Sequence, residues 1–367
     1  MRLTCSQKEL SNALNIANKA VNLNNTLPVL NNVLLRAEGK KLHFTTTNLE
    51  VAITYWIETE VKNEGEITIP SKLFTSYMNY LKDDTVDLSV EAGNTVVVKS
   101  KDSTTKIKGI DAVEFPSIPL VEKEGEAVIK VKDLKQAIGQ VVFSAAFNTT
   151  RPVLSGVYFV ANKDQLSMVA TDSYRLSEKV IPVEKIGGDI SCIIPAKTIV
   201  ELGYVLDTFG EDESVTIITS KNQVFFSIGA FNLTSRLIEG QFPNYEQIIP
   251  KSTKTKIMFA VDELSLVLKR LNLFAKENNN KVVFTTGDQK VVITTDSTQY
   301  GEEEVVMEND MEGDKAEIAL NSQYILDALS NIGSKKISFE ISDKSNPVII
   351  KPETENGYLH IIMPLKI

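Results

Sequence analysis

The 367-residue chain has little of what catalysis or secretion calls for. It holds two cysteines, Cys5 and Cys192, with no spacing that suggests a disulfide framework or a zinc site. Its two histidines, His43 and His360, sit alone in apolar alternating segments, so each reads as a half-buried strand residue rather than a catalyst. There is no glycine-rich phosphate loop of the GxxxxGKS kind, no HExxH and no Cys/His cluster. The expectation is a non-enzyme without cofactor or metal, although 48 acidic residues guarantee some neighbouring carboxylates. No apolar run approaches the roughly 20 residues of a membrane span, and the first residues lack a signal-peptide pattern. A cytoplasmic protein with no membrane partner is therefore expected, and the scarce cysteines fit a reducing compartment.

What is present is an ordinary globular composition, 43% apolar and 24% charged, arranged in a repeat. The strings KLHFTTTN, QLSMVATD and KVVITTDS each close on a turn pair: Thr47-Asn48, Thr171-Asp172 and Thr295-Asp296. Both 171 − 47 and 295 − 171 equal 124. Leu27-Pro28-Val29-Leu30 returns as Arg151-Pro152-Val153-Leu154, Ile69-Pro70-Ser71-Lys72 as Ile194-Pro195-Ala196-Lys197, and Phe115-Pro116-Ser117 as Phe242-Pro243-Asn244. Three domains follow, spanning 1–122, 126–251 and 254–367, each long enough to bury its own core. Linkers fall near Val121–Glu126 and Pro250–Thr255, each after a proline-marked stretch.

Every repeat reads as two successive units of strand, helix and further strands. The first helices carry apolar residues three and four apart. These are Leu10, Ala13, Leu14 and Ala17; then Leu134, Ile138, Val141 and Val142; then Leu264, Val267, Leu268 and Leu271. Ser6 with Glu9 suggests a capping box, and Asp262 marks another helix start. Second helices are expected over about Ser71–Lys82, Ala196–Leu206 and Asn321–Ile332. Alternating or β-branched segments such as Thr85–Lys99, Ser214–Ile228 and Lys336–Ile341 read as antiparallel strands. The fold class is α+β, with helices on one face of the sheets.

Net charge is −9, which argues against a protein that grips nucleic acid through bulk charge. The distribution qualifies this. The six helical segments sum to +4, leaving −13 for everything else. Either these are ordinary solvated helix faces, or the molecule turns one basic face toward a polyanion.

The repeats, the TLPVL and IPSK segments, ATDSYRLS at Ala170–Ser177, SRLIEGQFPNY at Ser235–Tyr245 and a terminal MPLKI together resemble the bacterial β sliding clamps, the processivity subunits of DNA polymerase III. The resemblance runs the full length. It implies three DNA-clamp domains per chain and a head-to-tail homodimer that closes as a ring, with helices around double-stranded DNA of any sequence. The implied partners are the replicative DNA polymerase, an ATP-driven clamp loader and other proteins carrying a clamp-binding motif. It further implies a partner-peptide pocket between repeats two and three at Leu154, Thr171, Ser173, Tyr174, Arg175, Leu176, Pro243, Gln247, Ile248, Pro347, Ile361, Met363, Pro364 and Leu365. Chemically this suits an apolar groove whose rim residues Arg175 and Gln247 orient a short peptide. The same residues would also serve simply to pack a domain junction. Contacts to DNA fall on Lys72, Asn148, Arg151 and Lys197. A subunit interface would join repeat one to repeat three through Ile107, Leu273 and Phe274, with Glu302, Glu303 and Glu304 facing Lys101, Lys106 or Lys108.

The chain departs from the family's pattern in places. Gln247 stands at a usually basic position, Ser173-Tyr174 replaces a usual Gly-His pair, and Asn24-Asn25 replaces an arginine before TLPVL. The MPLKI tail also stands where many members end in Met-Arg-Leu. Peptide preference is where these departures would tell. A protein-interaction scaffold that does not encircle DNA remains the alternative, opposed only by the basic helix faces. A two-domain chain closing as a trimer, the eukaryotic type, does not fit three repeats.

Overall fold

The computed structural model describes residues 1–21, 27–119, 121–147 and 150–366. Among these, six α-helices run Gln7–Ala17 (α1), Ser71–Tyr80 (α2), Val131–Val141 (α3), Ala196–Leu206 (α4), Val261–Ala275 (α5) and Ser322–Leu329 (α6). Helices α1, α3 and α5 each continue into a 3-10 turn, at Asn18–Ala20, Val142–Ser144 and Lys276–Asn278. Val142 therefore lies beyond α3 and is half-buried, while Leu134, Ile138 and Val141 are buried as expected. Two second helices are shorter than their sequences suggested. Helix α2 stops where Leu81 turns extended. At the end of α6, Ser330 Oγ donates to the Leu326 carbonyl and Asn331 Nδ2 to the Asp327 carbonyl. Such side-chain bonds compete with helix propagation.

The helix starts differ in how they are capped. Ser6 Oγ accepts the Glu9 N–H at 3.4 Å, so one arm of the capping box forms. Helix α5 begins one residue before Asp262 without a side-chain cap; Asp262 and Glu263 instead occupy its first turn, where carboxylates complement the helix dipole.

Contacts group the chain into two compact units that cut across the sequence repeats. The first unit comprises Met1–Val131, Glu184–Ile190 and Tyr204–Leu237. It contains a five-stranded antiparallel sheet, in the order Glu60–Asn63, Arg2–Ser6, Thr85–Glu91, Thr95–Lys99, Thr104–Lys108. Its nine-stranded sheet begins with repeat-two strands and ends with repeat-one strands. The join is antiparallel pairing of Phe231–Arg236 with Val51–Glu58, in register from Phe231 opposite Tyr55 to Ser235 opposite Val51. The expected face of α1, Leu10, Ala13, Leu14 and Ala17, is fully buried with Leu3, Phe44, Phe74 and Leu88 in one core. On the outer side α1 and α2 meet through polar groups, Ser11 and Asn15 both bonding Asn79.

The second unit comprises Lys132–Val183, Ser191–Gly203 and Ile238–Ile367. It repeats the plan. A nine-stranded sheet joins repeat two to repeat three by pairing Arg175–Pro182 with Tyr358–Ile362, from Arg175 opposite Ile362 to Lys179 opposite Tyr358. A four-stranded sheet runs Glu304–Glu308, Lys290–Thr295, Lys281–Thr286, Glu317–Asn321. Leu264, Val267, Leu268 and Leu271 of α5 close over Phe259, Phe284 and Phe339. The Phe284 and Phe339 rings stack at 5.2 Å, and Phe259 meets both edge-on at 6.4 and 5.7 Å.

The repeated turns explain themselves chemically in two of three cases. Asn48 Oδ1 accepts the N–H groups of Glu50 and Val51, and Asp172 Oδ1 those of Tyr174 and Arg175. Leu49 and Ser173 take the matching left-handed positions, φ 74° and 79°. Asp296 does otherwise. It bonds Asn278 and Lys281, and the turn opens into a loop before Glu304. Both thiols are buried and pushed up to about 12 by burial, so they behave as small apolar side chains.

The three-ring cluster sets a stability test. Phe284→Ala should cost about 3–5 kcal/mol, the usual range for a truncated core aromatic. Denaturant titration of the variant checks it, and a loss below about 1 kcal/mol would contradict a close-packed third core.

Candidate functional site

A groove of about 190 Å³ opens in the second unit beside the strand pair that joins repeats two and three. Of the residues expected there, Leu154, Thr171, Ser173, Arg175, Leu176, Pro243, Ile248, Ile361 and Met363 line it. Several segments converge to do this: the 3-10 turn Pro152–Ser155, the Asp172 turn, the loop leading into the short helix Tyr245–Ile248, and strand Tyr358–Ile362. Its floor is apolar. Val169, Leu176, Tyr245 and Ile361 are buried together, with Phe242 stacked on Tyr158 at 5.0 Å. Ile248 is 41% exposed at the mouth.

Other expected residues lie differently. Pro347 is buried and does not line the groove, because the turn formed around Asp343 carries it into the start of strand Val348–Pro352. Gln247 and Tyr174 are exposed beside the groove, and the Tyr174 carbonyl accepts the Met363 N–H at 2.8 Å. That bond pins the end of the chain at the groove. Pro364 and Leu365 are half-buried past it, with Leu365 N–H held by the Ala319 carbonyl at 2.8 Å. Three lining residues were not anticipated there: Asn244, Tyr245 and Arg151, the last assigned by resemblance to DNA. The NY of GQFPNY was the only signal for the first two.

Arg175, which lines the groove as expected, is also engaged within the chain. Its Nε donates to Asp172 Oδ2 at 3.0 Å, one terminal nitrogen to Asp327 Oδ2, and the other to the Phe143 carbonyl at 2.8 Å. The guanidinium also stacks against Tyr324 at 4.6 Å and Phe143 at 5.5 Å. Only 12% of the side chain is exposed. A guanidinium committed to two carboxylates and a carbonyl holds the Asp172 turn and α6 in place rather than reaching for a ligand. The groove wall is thus preset.

A buried polar row runs under this wall. Ser144 and Ser177 hydroxyls lie 2.8 Å apart, and Ser177 Oγ sits 2.7 Å from His360 Nδ1. His360 is fully buried, not half-buried, and its Nε2 has no partner among the described residues. Further along, buried Lys179 bonds Glu355, which also accepts from Gln140 Nε2 at 2.9 Å. Tyr245 donates to Glu178 at 2.8 Å; burial raises the Glu178 carboxyl, and the Tyr245 hydroxyl rises with burial beside it.

The remaining expected residues scatter, as they should if they serve other contacts. Lys72 and Lys197 are exposed in the first turns of α2 and α4. Asn148 lies outside the described residues. Leu273 is 72% exposed and Phe274 half-buried at the end of α5. Ile107, by contrast, packs inside the core formed by Leu3, Leu35 and Leu88. Glu302 and Glu304 are exposed, but Glu303 pairs with Arg270 at 2.6 Å within the chain. Lys106 likewise pairs with Glu91 at 2.7 Å.

Three sequence-family models match in chain order. They describe the N-terminal domain of the DNA polymerase III beta subunit over residues 1–119, its central domain over 128–244 and its C-terminal domain over 246–366. The chain belongs to this family. A beta sliding clamp of Staphylococcus aureus is 29% identical over 376 residues, spanning 100% of this chain and 99% of the relative. One of Synechocystis is also 29% identical, over 389 residues and all of both chains. Among solved structures, a DNA polymerase sliding clamp from Bacillus subtilis superposes with a TM-score of 0.95 at 25% identity, covering 100% of this chain and 99% of that one. The DNA polymerase III subunit beta of Pseudomonas aeruginosa gives 0.95 at 26% identity over all of both chains.

The buried histidine gives a test of the groove's support. Burial, aided by Arg175, pushes His360 from 6.5 down to about 3. Between those values the unfolded chain takes up a proton that the folded chain refuses, so this term removes stability as pH falls from 6.5 toward 3 and is silent above. The stability gap between wild type and His360→Gln should therefore narrow from about pH 7.5 to about pH 4. Paired denaturant titrations read it; a gap independent of pH refutes the buried neutral imidazole.

Proposed function

We propose that this chain works as a DNA sliding clamp: two copies close head to tail around duplex DNA and hold polymerase through the groove. The observation that carries this reading is a matched pair of outer strands. Thr104–Lys108 ends the five-stranded sheet and Glu304–Glu308 ends the four-stranded one. Both have five residues and the same alternation of exposure, with one buried residue at the fourth position. One carries Lys106 and Lys108; the other carries Glu304 and Glu308, with Val306 54% exposed between them. Open edges of this kind invite another strand. Pairing the basic edge of one copy with the acidic edge of the next joins repeat one to repeat three, a heterologous contact that closes when the rotation allows.

The charge pattern supports the same reading. Lys8, Lys19, Lys72, Lys132 and Lys197 are exposed on helical segments of an otherwise acidic chain. Such cations meet backbone phosphates without reading bases, which leaves a ring free to slide. Retention comes from threading, so weak phosphate contacts suffice. No nucleotide-binding loop occurs in the sequence, so the ring acts without catalysis and an ATP-driven loader opens it, in the cytoplasm where the DNA lies. The scaffold alternative has no use for the basic helix segments.

Loaded on nicked circular DNA, the protein should survive salt high enough to break phosphate contacts and leave when the circle is linearised. Loss in salt alone, with the circle intact, would mean simple electrostatic binding.

Groove and ring separate cleanly. Ile248→Asp, or removal of Met363–Ile367, should reduce polymerase capture by at least about tenfold while retention on circles persists. Unchanged capture in both variants would remove the groove from the mechanism.

A further inference from the structure

A second groove, of about 300 Å³, lies in the first unit, and nothing so far gives it a task. One wall is a single stripe of α1 and its 3-10 extension, where Asn12, Asn15 and Lys19 recur at three and four residues. This stripe flanks the apolar face that α1 gives to its own core. Opposite stand Tyr204, near the end of α4, and Phe209 in the turn that follows. That turn is fixed by Thr208, whose hydroxyl donates to the Val205 carbonyl at 2.7 Å. Tyr55, from strand Val51–Glu58, also lines the groove.

The chemistry of the lining is specific. Tyr204 is 56% exposed, and Lys19 Nζ lies 4.8 Å from its ring centroid, so an aromatic face and a cation sit together at the opening. Lys19 is itself exposed and has no carboxylate partner among the described residues. Half-buried Tyr55 and exposed Asn12 hold hydrogen-bonding groups that no described protein group satisfies. Burial, with Glu9 and Glu213 nearby, pushes the Tyr55 hydroxyl further up, so it stays a donor. A ligand that satisfies all of these has a flat ring for Tyr204, polar edge atoms for an amide and a phenol, and a negative charge for Lys19. The volume lies at the lower end for small-ligand sites, about 300–1,000 Å³.

We propose that this groove binds one unstacked nucleotide, its base on Tyr204 and its phosphate on Lys19. Single-stranded DNA is one source and a free nucleotide the other. Stacking on an aromatic platform beside a cation is how proteins hold single strands without sequence preference. The inference rests on the clamp reading only for bringing DNA to this surface; binding itself needs no closed ring. A clamp equipped this way would notice a frayed or unpaired nucleotide while sliding freely over duplex, whose bases are not available to stack.

The test is equilibrium titration of the full-length protein with fluorescent oligo-dT and, separately, with dTMP. Tyr204→Ala should weaken oligo-dT binding about 5- to 150-fold, the loss expected for one stacked base. Tyr204→Phe should restore most of it, and Lys19→Ala should weaken binding and flatten its salt dependence. Comparable saturation by dTMP assigns the site to free nucleotides, whereas binding of the oligomer alone assigns it to a strand. Wild-type affinity in Tyr204→Ala, or no saturable binding of either probe, overturns the proposal. Retention of Tyr204→Ala on nicked circles is read alongside: if retention persists while oligo-dT binding is indifferent to Tyr204, only this proposal fails and the ring stands.

Discussion

Antiparallel pairing between the edge strands of successive repeats is the contact on which the rest of the molecule depends. A repeat of this size with two sheets would expose several open edges, each a template for wrong association. Pairing Phe231–Arg236 with Val51–Glu58, and Arg175–Pro182 with Tyr358–Ile362, turns those edges into sheet interior and makes two nine-stranded sheets. It also explains why the compact units ignore the repeat boundaries: the two sheets of repeat two belong to different units. The groove lies beside one of these joins because a ladder between repeats brings segments far apart in sequence to one rim. Ile361 and Met363 thereby line the same groove as Leu154 and Ser173.

Electrostatics then becomes a matter of placement rather than total. A chain of net −9 would repel DNA if its charge were spread evenly. Concentrating exposed lysines on the helices while the strands and loops carry the acid lets the helices tolerate phosphate. Duplex contact can then stay weak, and weak contact is a requirement for sliding, since each tight phosphate contact would add to the barrier for moving along. The same acid excess appears on the outer strand Glu304–Glu308, whose charge opposes pairing with a like edge.

Much of this was legible in the sequence, for identifiable reasons. The 124-residue period survives because each repeat solves the same packing problem, so the helix faces and the Asx turns at Asn48 and Asp172 recur in register. Most of the groove's lining could be assigned by resemblance because its segments keep their spacing. What could not be read are pairings across long sequence separations. Arg175 is answered by Asp327 and Lys179 by Glu355, and neither partner is marked by any local pattern. Ile107 illustrates the converse: a residue the resemblance assigned to the subunit interface is buried because the strand's face turns into its own core. The third turn diverged because Asp296 found Lys281 and Asn278 instead of its own backbone. Turn sequence alone cannot foresee that competition.

The fixed Arg175 bears on how the groove would work. A short disordered peptide loses conformational entropy when it docks, and affinity improves when the receptor has nothing further to order. Here the Asp172 turn is locked by its own carboxylate, by Arg175 and by the left-handed Ser173, and the chain end is pinned through Met363. The wall therefore costs little to organise, and a docked peptide would draw its binding energy from apolar anchors against Leu176, Ile248 and Ile361. The residues left free to discriminate are the exposed ones, Tyr174 and Gln247. Those are also two of the positions where this sequence departs from the family's usual residues, so changes in partner preference can accumulate there without disturbing the joint between repeats.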